Sequence, residues 1–410
     1  MLAMKHRKAI IVEAAKKYIK AKKKEKTKIL DEIVNITGYN RKYSARALTL
    51  CPGKVVGYRT VGGKKIKYVI GAKKTKRKRE KIYGRDVYLA LKRIWVVFDF
   101  ICSKRLTPFM AEAVKKLEKH KEINISPDTK EKLLRISAST IDRLLKPLKD
   151  SYRLKKGRGG TKPGTLLKNA IPIKTFADWD DTVPGFVEVD LVGHDGGNIS
   201  GDYAQSLNFS DVATCWDIAV ACKNKAQVNV FSAIRAASKR FPFRIAGIDS
   251  DNGSEFINDQ MLRYCRANSI TFTRSRAYKK NDSCFVEQKN YSIVRRAVGY
   301  LRYDTDEELK LLNELYLYLG YYTNFFQPVV KLIEKTRNGS RVSKKYDVAI
   351  TPYRRVLKSK EIGDNVKEKL KKEYDVLNPA DLKRKISRLQ DKLLKLNSLK
   401  KNVERDKVLR

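Results

Sequence analysis

The sequence predicts a multidomain protein built around an α/β core with a mixed sheet, preceded by two all-helical regions and followed by a small basic C-terminal region. The length of 410 residues exceeds that of one ordinary domain. Apolar residues recur at helical spacing towards both ends of the chain, whereas residues 186–273 contain alternating, strand-like stretches. The charge divides along the same lines. Residues 1–170 have 47 basic and 14 acidic side chains, residues 171–330 have 18 and 20, and residues 331–410 have 25 and 11.

The composition excludes several classes of protein. Hydrophobic residues make up 42% of the chain, enough to form apolar cores, so this is not a disordered polybasic tail. No run of 18 apolar residues could cross a membrane, and the N-terminus lacks the apolar stretch of a signal peptide. The six cysteines lie far apart without a CxxC pair, which favours reduced, cytosolic thiols. The net charge of +45 favours a nucleic acid as partner over a general solubility or membrane-surface role.

Residues 1–51 are predicted to form a helix-turn-helix domain that binds DNA. Helices over 8–21 and Lys26–Ile36 each have one apolar face. Gly38 can take the left-handed conformation that ends a helix, and a basic helix follows at Arg41–Leu50. An ordinary pair of packed helices would show the same pattern, but the charge favours DNA binding. The candidate DNA contacts are Arg41, Lys42 and Arg46.

A second helix-turn-helix-like DNA-binding domain is predicted over residues 84–150, between two basic linkers. The linkers are 52–83, with room for a small hairpin around its paired glycines, and 151–175. Apolar spacing predicts three helices, and a turn over Ser137–Ser139 with a capping serine leads into a candidate recognition helix. The candidate DNA contacts are Ser139, Thr140 and Arg143.

The near-neutral segment 176–330 is predicted to fold as the α/β core. Residues 186–193 (FVEVDLVG) alternate as a strand does. Further strands are predicted at 204–213, 215–221, 243–248 and 270–273, and helices at 226–241, at 255–268 and from Glu287 onward. The order β-β-β-α-β-α-β-α predicts a mixed sheet with helices on its faces.

Three carboxylates in this segment are candidates for one divalent-metal site. Asp190 lies in the middle of an apolar strand, where a charge is costly unless it binds something. Asp251 follows a predicted strand in a turn that contains Gly253, a position at which open sheets bind ligands. Glu287 opens a helix, where the helix dipole alone would also favour an acid. Each is weak evidence alone, but together the three can converge on one cation.

These residues resemble the retroviral-integrase and insertion-sequence transposase superfamily. The resemblance rests on Asp190, on the block 250–256 (SDNGSEF) and on the block 284–290 (CFVEQKN). Between Asp251 and Glu287 lie 35 residues, which matches the D,D-35-E spacing of that superfamily.

The resemblance covers residues 180–330 strongly, and the regions on either side look less specifically like a bacterial insertion-sequence subgroup. It implies a ribonuclease-H-like integrase core, a mixed five-stranded sheet with helices, that holds two Mg²⁺ or Mn²⁺ ions. Asp190 would bridge both ions, Asp251 would bind one and Glu287 the other, as suits hard cations and in-line displacement at phosphorus. Water would nick the element end, and the released 3′-hydroxyl would attack target DNA.

Several neighbours of these acids are candidates for supporting roles. Glu188 shares a strand face with Asp190, either as a helper of the metal site or as a peripheral acid. His194 is either catalytic or an ordinary turn residue. Candidate phosphate contacts near Glu287 are Lys280, Lys289, Arg295 and Arg296. Three histidines without matching cysteine pairs cannot build the zinc module of retroviral integrases, so the helix-turn-helix regions would replace it.

Residues 331–410 are predicted to form a small basic domain and a terminal helix. The long aromatic helix before them, Asp306–Phe326, is expected to pack on the core. After the capping residue Asn378, leucine and isoleucine recur at three and four up to Leu399. This pattern fits a short coiled coil between protomers and packing onto the same chain equally well.

The sequence therefore predicts a DDE polynucleotidyl transferase, a transposase or integrase with endonuclease activity that binds terminal inverted repeats and transfers them to target DNA. It would act as a homo-multimer on double-stranded DNA, without a membrane partner, in a bacterial-type cytoplasm and at the nucleoid when bound to DNA. Two alternatives stay open: a catalytically silent DNA-binding regulator derived from such an enzyme, and a metal-dependent nuclease without strand transfer.

Overall fold

The structure is a computed structural model that describes residues 2–50, 55–61, 64–69, 82–151, 183–251, 253–274, 286 and 289–408. The chain divides into two compact units, Met1–Lys81 and Ile82–Arg410. Within the described ranges, no helix is long and apolar enough to cross a membrane. The finer division into six functional segments stays a prediction.

The N-terminal unit contains three helices and a β-hairpin. They are α1 (Met4–Lys20), α2 (Lys23–Thr37), α3 (Arg41–Leu50), β1 (Val55–Val61) and β2 (Lys64–Val69). The apolar faces of the helices meet in a small core of Ile11, Ala15, Leu30, Ile33 and Leu48. Gly38 follows α2 with a φ of 67°, the left-handed conformation expected of it. Strands β1 and β2 pair antiparallel, as the small hairpin allowed for in the linker.

Four helices open the second unit. They are α4 (Arg85–Val97), α5 (Ser103–Lys119), α6 (Pro127–Arg135) and α7 (Ala138–Ser151). Ser137 is the capping serine of α7, because its hydroxyl accepts a hydrogen bond from the Thr140 amide at 3.3 Å. The apolar faces of these helices belong to the same core as the sheet. The helical region is therefore packed onto the α/β core.

The α/β core is a five-stranded mixed sheet in the order β5-β4-β3-β6-β7. Its strands are β3 (Phe186–Gly193), β4 (Gln205–Asp211), β5 (Asp217–Cys222), β6 (Gly247–Ser250) and β7 (Thr271–Arg274). Strands β3, β4 and β5 pair antiparallel, whereas β6 and β7 continue the sheet in parallel with β3. The prediction of a mixed five-stranded sheet with helices is confirmed. Strand β3 lies at its centre and contacts both halves.

The fourth strand begins later than predicted. The apolar run 243–248 reads as a strand, but β6 starts only at Gly247. The reason is the neighbouring strand: the Ala246 amide donates to the Gly185 carbonyl at 2.8 Å, just before β3 begins, and pairing runs on from there. Asp251 consequently follows β6 directly.

The helix predicted at 255–268 is also shorter at its start. It is α9 (Asp259–Ala267), because the Asn258 side chain caps it by accepting from the Met261 amide at 2.9 Å. The preceding helix is α8 (Gln227–Ser238).

The remainder of the second unit is helical apart from one exposed hairpin. It contains a π-helix (Asn290–Arg295), α10 (Arg296–Val298), α11 (Asp306–Phe326), β8 (Leu332–Asn338), β9 (Arg341–Tyr346), α12 (Pro352–Lys358), α13 (Asp364–Val376) and α14 (Pro379–Val408). Helix α11 packs on β5 and on α14. The apolar residues Leu382, Ile386, Leu389 and Leu393 are buried in this chain's own core. The terminal helix therefore packs onto the same chain, one of the two alternatives left open.

Two acids at the ends of α4 and α5 hold the terminal helix. Asp99 forms ion pairs with Lys383 at 2.6 Å and with Arg296 at 2.7 Å, which joins α14 and α10 to the helical region. Glu122 accepts from Arg384 and from the capping residue Asn378, both at 2.8 Å. The start of α14 is thus fixed by charge as well as by its apolar face.

Candidate active site

Two of the three predicted carboxylates lie on or just after neighbouring strands: Asp190 within β3, and Asp251 directly after β6. Strands β3 and β6 pair in parallel with Val189 opposite Ser250. Asp190 and Asp251, each one residue further along, therefore come next to each other, and neighbouring strands lie about 4.8 Å apart. Asp190 is half-buried and Asp251 is exposed, so this level of the sheet is open to a ligand.

The face of the sheet that carries Asp190 also contains a row of polar side chains. One level below the two acids, a buried polar row crosses all five strands: Asp217, Ser210, Glu188, Asp249 and Thr273. Each of these residues is at most 2% exposed. Because side chains two apart on a strand share a face, the open acids stand directly above this row.

The turn after β6 shapes the surroundings of Asp251. The Gly253 amide donates to Asp251 Oδ1 at 2.9 Å. A side chain at Gly253 would collide with the Glu255 carboxylate, whose atoms lie 2.6–2.8 Å from where the Cβ would be. Although Asp251 is exposed as a residue, partial burial of its carboxylate raises its pKa, and burial together with the charge of Asp251 raises the pKa of Glu255. A cation beside this pair would therefore be favourable.

One asparagine holds Asp190, and a second asparagine holds the first. Asn290, at the start of the π-helix, donates from Nδ2 to Asp190 Oδ2 at 2.6 Å. Asn208, which pairs with Asp190 across β3 and β4, donates in turn to Asn290 Oδ1 at 3.1 Å. Neither asparagine is among the site residues predicted from the sequence. Asn290 could have been found because it lies three residues after Glu287 on a predicted helix, whereas Asn208 requires the strand register.

The third predicted carboxylate, Glu287, lies outside the described residues. Its neighbour Val286 is described, and the Val286 amide donates to Glu188 Oε2 at 2.9 Å. Glu188 is 2% exposed and belongs to the buried polar row, one level below Asp190. Neither interpretation of Glu188 from the sequence, as a helper of the metal site or as a peripheral acid, included this hydrogen bond to a backbone amide.

The residues present fit a divalent cation. Carboxylate and amide oxygens are the hard donors that Mg²⁺ and Mn²⁺ prefer. Asn208 Oδ1 is buried and has no hydrogen-bond partner among the described residues, although it sits beside Asp190. In the part of the chain that the structure describes, no three His, Cys, Asp or Glu side chains form a metal cluster by themselves. The predicted site contains a third carboxylate, that of Glu287, which lies outside the described residues.

The basic residues predicted near the site make protein contacts. Lys289 Nζ donates to the Cys215 carbonyl at 3.5 Å. Arg295 donates to the Gly193 carbonyl at 2.8 Å, and burial lowers its pKa. Arg296 is exposed but paired with Asp99, and Lys280 lies outside the described residues. Their role as DNA contacts stays a prediction.

His194 is buried directly after β3. Its Nε2 lies 2.7 Å from the Ser206 hydroxyl, which lies 2.6 Å from the Tyr316 hydroxyl. Burial lowers the pKa of His194 to about 3, so the ring is neutral at physiological pH. This environment favours the structural interpretation of His194 over a catalytic one.

The DNA contacts predicted in the helical regions differ in accessibility. Arg41, Lys42 and Arg46 are exposed on α3, and Arg41 also pairs with Asp31. On α7, Ser139 and Arg143 are exposed, but Thr140 is 8% exposed and its hydroxyl accepts from Arg143 at 3.1 Å. Thr140 therefore offers little surface for a direct contact, and the role of these residues in DNA binding stays a prediction.

One curated relative is similar over most of this chain. The uncharacterized protein y4rM of Sinorhizobium fredii (strain NBRC 101917 / NGR234) is 37% identical over 355 residues, which are 86% of this chain and 96% of the relative. No protein-family model matches the sequence.

Solved structures with partial similarity include three retroviral ones. The magnesium-bound catalytic core of HTLV-2 integrase is 14% identical with a TM-score of 0.28, covering 36% of this chain and 91% of its own. The catalytic core of BIV integrase is 16% identical with a TM-score of 0.30, covering 43% and 95%. The simian T-cell lymphotropic virus intasome with the PP2A subunit B56 gamma is 14% identical with a TM-score of 0.30, covering 52% and 69%. Scores this low carry no argument beside the sheet order and register described above.

Proposed function

We propose that this chain, which belongs to the same family as the uncharacterized protein y4rM of Sinorhizobium fredii, is a metal-dependent DNA transposase or integrase of the DDE type. The observation that supports the proposal is the register of β3 and β6, whose last pair, Val189 and Ser250, comes one residue before Asp190 and Asp251. Glu287 is proposed as the third carboxylate. It lies between Val286 and Asn290, both of which donate to β3.

The proposed reaction has two displacements at phosphorus. First a water oxygen bonds to phosphorus while the bond to the 3′ oxygen breaks, which frees a 3′-hydroxyl at the element end. That hydroxyl then bonds to a phosphorus of target DNA as a second P–O bond breaks. Two Mg²⁺ or Mn²⁺ ions held by Asp190, Asp251 and Glu287 would supply Lewis acidity to both displacements.

The protein's own residues set the geometry of this site. Asp190 projects from β3, and Asp251 begins the turn after the paired strand β6, so the sheet brings the backbones of both residues to the same level. Asn290, oriented by Asn208, keeps Asp190 in one rotamer. The Gly253 turn does the same for Asp251. Such preorganisation suits a reaction that depends on positioning.

The basic regions would hold the DNA. Residues 1–81 carry 26 basic and 5 acidic side chains, and α3 exposes Arg41, Lys42 and Arg46. We assign recognition of terminal inverted repeats to this unit and to the second helix-turn-helix-like region, and joining of two ends to a homo-multimer on double-stranded DNA. The protein would act in a bacterial-type cytoplasm and at the nucleoid.

The test incubates the protein with Mg²⁺ and DNA carrying the repeats that flank its coding sequence. We expect nicked 3′ ends and joined products. Asp190→Asn, Asp251→Asn and Glu287→Gln should each reduce both products by more than about 100-fold, because each removes a charged metal ligand. Binding of the same DNA, followed by fluorescence anisotropy, should persist in all three variants.

Asp259→Asn is the matched control. Asp259 is an exposed acid in the first turn of α9, eight residues from Asp251, and should be neutral for joining. Nicking without joined products would support a nuclease instead, and tight DNA binding without nicking would support a regulator. Full joining by Asp251→Asn would refute the assigned site.

A further inference from the structure

A cavity of about 400 Å³ lies on the face of the sheet opposite the candidate active site, and we propose that it binds a small organic acid with a flat apolar body and one carboxylate. It is enclosed by β5, by the residues that follow α8, and by helices α11 and α13. Ile218 on β5 lines the cavity. Because Ile218 follows Asp217, a member of the buried polar row, alternation along the strand places Ile218 on the other face. The proposal is therefore independent of the proposed function.

Arg240, two residues after the end of α8, is the proposed partner of the carboxylate. Its side chain is half-buried, and it donates from Nη1 to the Ala219 carbonyl at 3.0 Å and from Nη2 to the Tyr316 carbonyl at 3.3 Å. A guanidinium has five N–H donors, so these bonds fix its position and leave donors for a ligand. Among the described residues, no carboxylate forms an ion pair with Arg240. A charge removed from water is costly without a partner, and an anionic ligand would supply one.

Gly320, in the interior of α11, leaves room for this guanidinium. A Cβ at position 320 would lie 3.3 Å from Arg240 Nη2, which is closer than an ordinary contact. Glycine destabilises a helix interior relative to alanine. The place of Arg240 in the cavity wall thus depends on a residue that the helix itself does not favour.

The remaining lining suits a flat apolar body. Phe241, Tyr321, Phe325 and Leu370 contribute aromatic and aliphatic surface. Trp216 also lines the cavity, and its buried Nε1 has no hydrogen-bond partner among the described residues. Since buried N–H groups are usually paired, this indole is a second candidate donor for an acceptor atom of the ligand. Apolar walls with a few polar groups, at a volume of several hundred Å³, are typical of small-molecule sites.

The charges around the cavity favour a ligand with a single negative charge. Among the lining residues that the structure describes, three cations (Lys239, Arg240 and Lys369) and one acid (Glu373) leave a net charge of +2. Both lysines are exposed, whereas Glu373 is half-buried. Burial raises the pKa of Glu373, while a hydrogen bond from Tyr321 and the charge of Lys369 act in the opposite direction. A dianion such as phosphate would be repelled by Glu373 more strongly than a monoanion.

Isothermal titration calorimetry of the full-length protein tests the proposal with two matched probes, naphthalene-2-carboxylate and the neutral naphthalene-2-carboxamide. The two share one apolar body, and only the first is charged. We expect the carboxylate to bind one site with a Kd below about 1 mM, at least about 10-fold more tightly than the amide, because hydrogen bonds between charged groups are stronger. Inorganic phosphate should not compete with it.

Substitutions in the cavity wall assign the effect to the proposed residues. Arg240→Met should abolish the preference for the carboxylate, so that the two probes bind with Kd values within about 2-fold of each other. Val366→Trp enlarges a half-buried lining residue of α13 and should weaken both probes by about 10-fold or more. The matched control is Arg235→Met, at an exposed arginine of α8 outside the lining, which should bind both probes like the unsubstituted protein.

The proposal is overturned by equal affinity for the two probes, by a carboxylate Kd above about 1 mM, or by a preference that persists in Arg240→Met. Competition by phosphate, or an equal loss in Arg235→Met, would also overturn it. If Arg240→Met does not fold, as judged by circular dichroism, Glu373→Gln decides. Loss of its negative charge should tighten carboxylate binding by about 3-fold and leave amide binding unchanged, and no change in either would contradict the proposal.

Discussion

Asp217 is a strongly perturbed acid of the buried polar row. Burial raises its pKa to about 7, against the charge of Lys289 and a hydrogen bond from Ser210, which both favour the charged form. Its backbone is held on both sides by Asn324 of α11, whose amide donates to the Asp217 carbonyl at 2.7 Å and whose oxygen accepts from the Asp217 amide at 2.8 Å. The residue is 1% exposed at this position.

This environment predicts a pH dependence of stability. Between about pH 4 and pH 7 the unfolded chain releases the Asp217 proton while the folded protein keeps it, so stability falls as the pH rises through this window. Asp217→Asn should remove that slope, because its side chain does not titrate. The unsubstituted protein should therefore lose up to about 4 kcal/mol more free energy of unfolding than the variant between pH 4 and pH 8. Urea unfolding at both pH values measures it. An unchanged slope in the variant would contradict the prediction.

Asp211 is a second buried acid, and we expect its substitution to have a different effect, because three hydrogen-bond donors satisfy its carboxylate. Its carboxylate accepts from the Gly185 amide at 2.7 Å, the Thr214 amide at 2.8 Å and the Thr214 hydroxyl at 2.6 Å. Asp211→Ala would leave three buried donors unsatisfied and should cost about 3 kcal/mol or more in denaturant unfolding. Asp211→Asn, which retains one acceptor oxygen, should cost clearly less. Equal losses would mean that the hydrogen bonds are not the cause.

Single residues also show where prediction from sequence stops. Asp190 and Asp251 were identified because an acid inside an apolar strand and an acid after a strand are visible as patterns. Asn208 was missed because nothing in the sequence gives the register of β3 with β4 that sets it against Asp190. Glu188 was visible but ambiguous, because its partner is a backbone amide almost 100 residues away.

At the level of elements, periodicity predicted which faces are apolar but not what covers them. The leucine and isoleucine pattern of α14 fitted two arrangements equally. The structure favours packing onto this chain because ion pairs at Asp99 and Glu122 hold its first turns. Likewise the apolar run before Gly247 reads as a strand, although pairing with β3 starts later.

The packing of α14 against the rest of the chain should weaken at acid pH. Hydrogen bonds from Arg384 and Asn378 lower the pKa of Glu122 to about 2. Their contribution is therefore complete above the ordinary glutamate pKa of 4.5 and is lost as the pH falls towards 2. Hydrogen exchange in residues 379–393 should rise between pH 4 and pH 2.5, after correction for intrinsic rates. In Glu122→Gln it should be raised already at pH 6.

The matched control for this prediction is Glu368→Gln. Glu368 is an exposed acid on α13 whose ion pair, among the described residues, is with Lys371, three residues along the same helix. Its substitution should leave exchange in α14 unchanged at every pH. A rise as large as that in Glu122→Gln would assign the effect to net charge instead of to the docking contacts.

At the level of the whole molecule, the uneven distribution of charge along the chain is the main feature. The net +45 is concentrated in the flanking regions, whereas residues 171–330 carry slightly more acidic than basic side chains. This partition could be read from the sequence. That the helices of residues 85–151 share one apolar core with the sheet could not, because such contacts depend on three-dimensional packing between segments far apart in the chain.

The charge distribution predicts a steep salt dependence of DNA binding. Each lysine or arginine that neutralises a phosphate contributes about 0.9 to the slope of log affinity against log salt concentration. Replacing Arg41, Lys42 and Arg46 together by alanine should lower that slope by about 2 to 3. The same triple replacement of the exposed Lys369, Lys371 and Lys372 on α13 is the control and should change it by less than about 1. Equal changes would mean that α3 is not a preferred contact.

The core shared by residues 85–151 and the sheet has a consequence for proteolysis. Tyr322 donates to the Val97 carbonyl at 2.5 Å, and Gln327 donates to the Phe98 carbonyl at 3.0 Å. These bonds join the helical region, which precedes residues 152–182 in the sequence, to the α/β core, which follows them. A single cut in that interval would not separate the pieces. Two fragments would elute together as a nicked complex and part only in denaturant, so an intact size on a native column would not prove an intact chain.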